Sequence, residues 1–180
     1  MRIGLVGKAG VGKTTIANIL VEKYGFVRLS FAAKLKEVAA EILGRPIDKT
    51  RDRLFLQTIG AAVRMFDTSA WIRHVWRELR KLPRDANVVI DDVRYLNEAE
   101  FLRDHGFVLV RLYGRGYSLD PKEATHESEV EQDQIKVDFE VNVNVPLKRL
   151  PKLVDELLKV ISGGKPTGMY TFKITRPQNV

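Results

Sequence analysis

The chain contains no cysteine. Disulfide staples and thiolate metal sites are therefore excluded. It also has no long hydrophobic run: nothing approaches the roughly 20 apolar residues that a membrane-crossing helix needs. Gly7, Lys8 and Gly10 interrupt the apolar start too early for a signal peptide. The three histidines, His74, His105 and His126, are scattered and suggest neither a metal cluster nor a histidine base. No internal repeat and no separate basic tail are visible. These absences make a cytoplasmic protein the expectation.

What is present is the balance of one folded domain. The 180 residues are 44% hydrophobic and 29% charged, enough apolar surface for a core and too little net polarity for disorder. The net charge of +7 points to polyanionic partners: nucleic acid, an anionic membrane surface or small phosphorylated substrates. Lysine and arginine are spread along the chain, however, as an ordinary solvated surface would also have them.

Short runs rich in Val, Ile and Leu at 2–6, 26–30, 88–90 and 107–112 read as strands. "DFEVNVNV" at 138–145 supplies a fifth. Helical spacing occupies 13–23, 32–43, 50–65, 69–82, 96–105 and 147–162. Near-continuous apolar strands alternating with helices predict an α/β doubly wound fold with a five-stranded parallel sheet covered on both faces. After "SGGKPTG", the alternating "YTFKIT" reads as an edge strand. The expected organisation is one domain over 1–162 and a tail over 163–180.

"GKAGVGKT" at 7–14 fits G-x-x-x-x-G-K-[ST], after a predicted strand and before a predicted helix. Its glycines let backbone N–H groups turn inward toward phosphate oxygens, and the helix start adds its positive dipole end. Lys13 is expected on the β- and γ-phosphates of ATP, and the Thr14 hydroxyl on magnesium. Gly7, Lys8, Ala9, Gly10, Val11, Gly12 and Thr15 complete the expected ATP contacts. The competing reading is a plain glycine turn.

"NVVIDDVR" places Asp91 and Asp92 at the carboxyl end of a strand, which in open α/β sheets faces the ligand crevice. A carboxylate there can hold magnesium, directly or through water, and Arg94 can reach the transferring phosphoryl group. The alternative for the aspartates is a helix cap and a solvated turn. Along 50–66, Arg53, Gln57, Gly60 and Arg64 recur at spacings of 4, 3 and 4. At 100° per residue, the first and last differ by only about 20° around the axis, so the four form one face. On a helix otherwise rich in Leu, Phe, Ile and Val, that stripe could line a cleft. Its arginines could bind a substrate phosphate, or it could be a solvated face. Trp71 and Trp76 read as core or as base-stacking residues. Residues 111–130, with Arg111, Arg115, Gly114, Gly116 and Pro121, read as a surface loop or as an arginine-bearing lid (about 113–130).

Several of these pieces occur together: the phosphate loop, "SFAAKLKE" at 30–37, the R-x-x-x-Q-x-x-G-x-x-x-R helix, "DDVRYLNEAE" at 91–100 and "THESE" at 125–129. In that combination the chain resembles the deoxynucleoside monophosphate kinases of bacteriophages, within the nucleoside monophosphate kinase superfamily. The resemblance covers about residues 1–160. It implies a three-layer P-loop NTPase fold with a helical substrate-binding insertion (about 31–82) and a short lid. The implied activity is magnesium-dependent transfer of the γ-phosphoryl of ATP to a (deoxy)nucleoside 5′-monophosphate, in the cytoplasm, or the host cytoplasm for a phage-encoded chain. It implies catalytic roles for Lys13, Asp92, Arg94 and Arg115, and ATP contact by Arg111. Magnesium would be held by Thr14, Asp91 and Asp92. Phe31, Lys34, Arg53, Gln57, Arg64, Trp71 and Arg94 would bind the acceptor. Ala33 and Lys34 stand where the family often has Asp-Pro. Family members are often dimers, so a homodimer is expected, with no nucleic-acid or membrane partner. The rival readings are a kinase of another phosphorylated metabolite, such as dephospho-coenzyme A, and a nucleic-acid-dependent P-loop ATPase.

Overall fold

The computed structural model describes residues 1–114 and 130–175. Five parallel strands form the sheet's body: β1 (Arg2–Val6), β2 (Val27–Leu29), β3 (Val88–Val93), β4 (Val108–Tyr113) and β5 (Phe139–Asn142). A sixth, β6 (Phe172–Ile174), joins antiparallel to β5, giving the order β2-β3-β1-β4-β5-β6. The five parallel strands are those that the apolar runs predicted, and the sixth, from the segment read as an edge strand, pairs on the open edge of β5 after the turn-rich 162–168 segment. β1 lies at the centre, with Ile3 in register with Val89 on one side and Val108 on the other. That is why its residues are apolar on both faces.

Successive strand side chains point to opposite faces, and two cores result. Ile3 and Leu5 pack with Ile16, Leu20, Val110, Leu112, Leu153 and Leu157. These come from the sheet, α1 (Lys13–Tyr24) and the last helix, Leu150–Ile161. Val6 and Ile90 pack on the other face with Phe31, Val75, Leu79, Leu102 and Leu109. On that side lie α4 (Ala70–Lys81) and α5 (Leu96–Asp104), while α2 (Ala32–Leu43) packs against α4 and against α3 (Arg53–Phe66), so the last helix is α6. Gly4 lies between the two packed leucines: a Cβ there would stand 2.7 Å from Leu109 and 2.9 Å from Leu102.

α3 begins at Arg53, three residues later than its periodicity predicts from residue 50. Asp48 accepts the N–H groups of Thr50 (2.8 Å) and Arg51 (2.9 Å), and this side-chain turn displaces the first helical turn. Buried Asp52 then takes both ends of the Arg45 guanidinium, at 2.7 and 2.8 Å, and the Asp48 N–H at 2.9 Å. The arginines Arg45 and Arg51 hold its carboxyl far below the usual carboxylate range. The turn joining α2 to α3 is therefore pinned, and it sets where the α3 stripe faces.

Behind the sheet, buried Glu156 of α6 accepts the Thr167 N–H at 2.7 Å and its hydroxyl at 2.5 Å. Tyr170 is buried in the adjoining core. These contacts carry the chain to β6. Replacing Glu156 by Ala should cost about 1.5–3 kcal/mol, the range for hydrogen bonds to a charged group. It should also expose 163–166 to limited proteolysis. Urea denaturation and digestion indistinguishable from wild type would show that β6 docks without this contact.

Candidate functional site

The carboxyl ends of β1, β2 and β3 open onto a cavity of about 480 Å³. Its floor is the loop between β1 and α1. Gly7, Gly10 and Gly12 have φ of 146°, 75° and 108°, the left-handed region that side-chain-bearing residues avoid. Gly7 is required twice over, since a Cβ there would also lie 2.6 Å from the Leu112 carbonyl oxygen of β4. The Lys13 ammonium folds back over the loop and donates to the carbonyls of Gly7 and Lys8. Ala9, Gly10, Gly12, Lys13, Thr14 and Thr15 line the cavity. Val11 is buried in the core, and Lys8 points away to pair with Asp133 at 2.6 Å.

Asp91 and Asp92 are neighbours on β3, and the pleat sends them in opposite directions. Asp91 turns toward the phosphate-binding loop: its carboxylate accepts the Thr14 hydroxyl at 3.0 Å and both ends of Arg28, at 3.0 and 2.6 Å. Asp92 turns toward α2, where it accepts the Ser30 hydroxyl at 2.6 Å and the N–H groups of Phe31 and Ala32 at 3.0 and 2.9 Å. It satisfies the free amides at the start of that helix. The carboxylate at the Thr14 hydroxyl is thus Asp91, where the sequence reading gave magnesium to Asp91 and Asp92 together. Arg28, a charged residue inside the strand-like "FVRLS", is the one signal of this pairing that the sequence offered.

The α3 stripe faces the cavity: Arg53, Gln57, Gly60 and Arg64 all line it, with Leu56 between. Gly60 lets α2 approach, since a Cβ would stand 3.2 Å from Leu35, and its carbonyl accepts the Trp71 indole N–H at 3.4 Å. Arg64 lies 3.8 Å over the Tyr95 ring and donates through Nη2 to Glu98 at 2.6 Å. Its Nε and Nη1, and Gln57 Oε1, are buried with no hydrogen-bond partner among the described residues. Glu98 is 1% exposed and also accepts the N–H groups of Arg94 (2.9 Å) and Tyr95 (3.2 Å). Burial pushes its pKa up to about 7, against the pull of Arg64.

Phe31, Trp71 and Arg94 also line the cavity. Lys34 does not: it is half-exposed and pairs with Glu37 at 2.6 Å, one turn along the outer face of α2. Lys36 takes its place in the lining, with Lys49 from the turn before α3. Lys34 and Lys36 are two positions apart, and about 200° of helical rotation carries them to opposite sides. Arg111 stands away from the cavity and donates to the carbonyls of Gln132 (3.1 Å) and Ile135 (2.6 Å). Arg115, the "THESE" segment and most of the expected lid lie outside the described residues. Arg28, Ser30, Lys36, Lys49, Tyr95 and Glu98 line the site without having been singled out as site residues from the sequence. Of these, Glu98 closes the D-x-R-x-x-N-E pattern, and Ser30 and Lys36 fall within "SFAAKLKE". Lys49 carried no signal. Among the described residues, no group of three metal-ligating side chains gathers, and no helix is long and apolar enough to cross a membrane.

No family profile matches the chain. A protein of Acanthamoeba polyphaga mimivirus named "Putative deoxynucleotide monophosphate kinase" is 34% identical over 163 residues, covering 74% of this chain and 83% of the relative. The uncharacterised protein ORF76 of Ictalurid herpesvirus 1 is 33% identical over 131 residues, covering 67% of this chain and 54% of the relative. Among solved structures, TT1252 from Thermus thermophilus superposes with a TM-score of 0.52 at 20% identity, over 89% of this chain and 97% of that one. A shikimate kinase from Aquifex aeolicus gives 0.51 at 18%, over 92% and 100%. At such identities the likeness is one of fold, that of the P-loop kinases.

The buried Arg64–Glu98 pair makes stability depend on pH in a defined direction. The folded-state pKa of Glu98 lies above its ordinary value of 4.5, so the folded protein holds the extra proton between that value and about 7. Its stabilising contribution is complete below pH 4.5 and is lost as pH rises through 7. Glu98→Gln should therefore flatten the stability profile, gaining on wild type between pH 5 and pH 8 in chemical denaturation. Parallel profiles for the two proteins would mean that Glu98 titrates normally.

Proposed function

The chain belongs to the deoxynucleotide monophosphate kinase family, and from that membership we propose that it transfers the γ-phosphoryl group of ATP to a deoxynucleoside 5′-monophosphate. The products would be ADP and the deoxynucleoside diphosphate, in a cytoplasmic role in nucleotide biosynthesis. One observation carries the reading: a single cavity joins the phosphate-binding loop to the arginine-bearing face of α3. A hydrolase needs only the first. A second cationic wall suits an acceptor that itself bears phosphate.

In this reading the loop amides and Lys13 cradle the β- and γ-phosphates of ATP. Lys13 would release the carbonyls of Gly7 and Lys8 and turn to the incoming anion. An oxygen of the acceptor phosphate attacks the γ-phosphorus, the bond to the β–γ bridging oxygen breaks, and ADP leaves with that electron pair. The attacking oxygen is already ionised near neutral pH, as the second pKa of a phosphate monoester is about 6. No general base is required, and neither His74 nor His105 lines the cavity. The chain's contribution is positioning and charge: Arg94 and Arg53 toward the reacting phosphates, Arg64 and Gln57 on the acceptor, Phe31 and Trp71 as its apolar walls.

The donor set fits magnesium. The Thr14 hydroxyl and the Asp91 carboxylate are hard oxygen ligands 3.0 Å apart beside the loop. Thr14 and Asp91 would hold the ion, and it would supply positive charge to offset that of the phosphates. Asp92, committed to the α2 amides, would hold that corner in shape from behind.

A coupled ADP-release assay with a panel of deoxynucleoside and ribonucleoside monophosphates, with and without DNA, tests the proposal. Turnover should require a monophosphate and ignore DNA. Turnover that requires DNA and ignores every monophosphate would favour the P-loop ATPase reading, and turnover only with dephospho-coenzyme A would favour the metabolite kinase. Arg64→Ala should raise the acceptor KM about tenfold or more while ATP KM stays within about twofold, the loss of a charge-assisted contact. Because that change strands the Glu98 carboxylate, the same assay on Arg64→Ala/Glu98→Gln separates acceptor binding from folding. An acceptor KM unchanged in the double variant would take Arg64 out of the binding site.

A further inference from the structure

Two lysines in the cavity have no partner among the described residues. Lys36 of α2 and Lys49 of the following turn line it next to Arg28, Arg53 and the Thr14–Asp91 corner. Neither forms a hydrogen bond or ion pair with any described residue. Lys36 is partly buried, and burial disfavours its charge; Lys49 and Arg28 repel it, while Asp92 and Asp91 attract it from beyond hydrogen-bond reach. Those two carboxylates cannot serve it better. Asp91 is occupied by Arg28 and Thr14, and Asp92 by Ser30 and two backbone amides. Lys49 is exposed and Lys36 half-buried. Gathering like charges about Lys36, partly out of water and with no carboxylate bonded to it among the described residues, is unfavourable, so the cluster suits an anion that arrives from outside.

The position says which anion. The acceptor phosphate must lie against the γ-phosphate to be phosphorylated, so it belongs near Thr14 and Asp91. Lys36 is close enough to feel the charge of both Asp91 and Asp92. Arg64 lies at the far end of the α3 stripe, 11 residues and about 16 Å along the axis from Arg53. It is already engaged by Glu98 and Tyr95. We propose that Lys36 and Lys49, beside Arg53, bind the phosphate of the acceptor nucleotide, leaving Arg64 and Gln57 to meet its nucleoside. This assignment rests on the kinase reading above. The shared chemistry, a phosphate dianion, has a second source in the γ-phosphate of ATP, and the test separates the two.

Lys36→Met and Lys49→Met, singly and together in the full chain, keep the side-chain stems and remove the charges. With monophosphate and ATP varied independently, each single change should raise the monophosphate KM about tenfold or more, with ATP KM within about twofold. Lys36→Arg should recover most of the loss. An unchanged monophosphate KM, or a rise confined to ATP, would overturn the assignment. A second readout does not need turnover. With the phosphate-binding loop filled by magnesium and a non-hydrolysable ATP analogue, inorganic phosphate should raise the melting temperature of wild type and not that of the double variant. Equal rises would also overturn it. Wild type that turns over no monophosphate but loses its phosphate-induced shift in the double variant would defeat the kinase reading and leave the lysine anion site standing.

Discussion

Two adjacent carboxylates on β3 organise the site, because a strand cannot point neighbouring side chains the same way. Asp91 ties the strand to Thr14 at the first turn of α1 and to Arg28 on β2. Asp92 ties it to the first amides of α2. One dipeptide therefore fixes the phosphate-binding loop on one side and the start of the acceptor wall on the other. The distance between donor and acceptor regions follows from the pleat of β3, and any loss of its register would move both.

The acceptor wall is held by buried charge in the same manner. Asp52, paired with Arg45, pins the turn that launches α3, and Glu98 fixes Arg64 at its other end. Buried pairs of this kind are poor sources of net stability, since desolvation consumes much of the Coulomb gain. Their effect here is geometric: they hold a polar stripe in place along a helix whose other faces are apolar. The groups without a partner among the described residues, Arg64 Nε and Nη1, Gln57 Oε1 and the ammoniums of Lys36 and Lys49, belong to side chains lining the cavity that a phosphorylated acceptor would fill.

Much of the scaffold was legible along the chain. The strands at 2–6 and 107–112 and the helices at 13–23 and 32–43 announce themselves through apolar runs and spacing, and the structure places them within about two residues. The α3 stripe was legible for a similar reason: helical periodicity is a local property, and 11 residues nearly close three turns. Lys34 came from the resemblance and not from periodicity, and the structure places it on the outer face of α2, paired with Glu37. The residue that faces the cavity is Lys36, and the helix rotation that decides this depends on α2 packing against α3 through Gly60 and Leu35.

The amino-acid sequence by itself determined the α/β layering, the glycine-built phosphate loop with Lys13 and Thr14, and the one-sidedness of α3, because each arises from contacts between residues near in the chain. Only the tertiary structure decided which of two adjacent aspartates meets Thr14, that Glu98 lies under Arg64, and that Lys36 and Lys49 line one cavity. Those pairings join residues 13 to 77 positions apart. Long-range contacts depend on how strands register and how helices rotate against one another, and no local pattern encodes either.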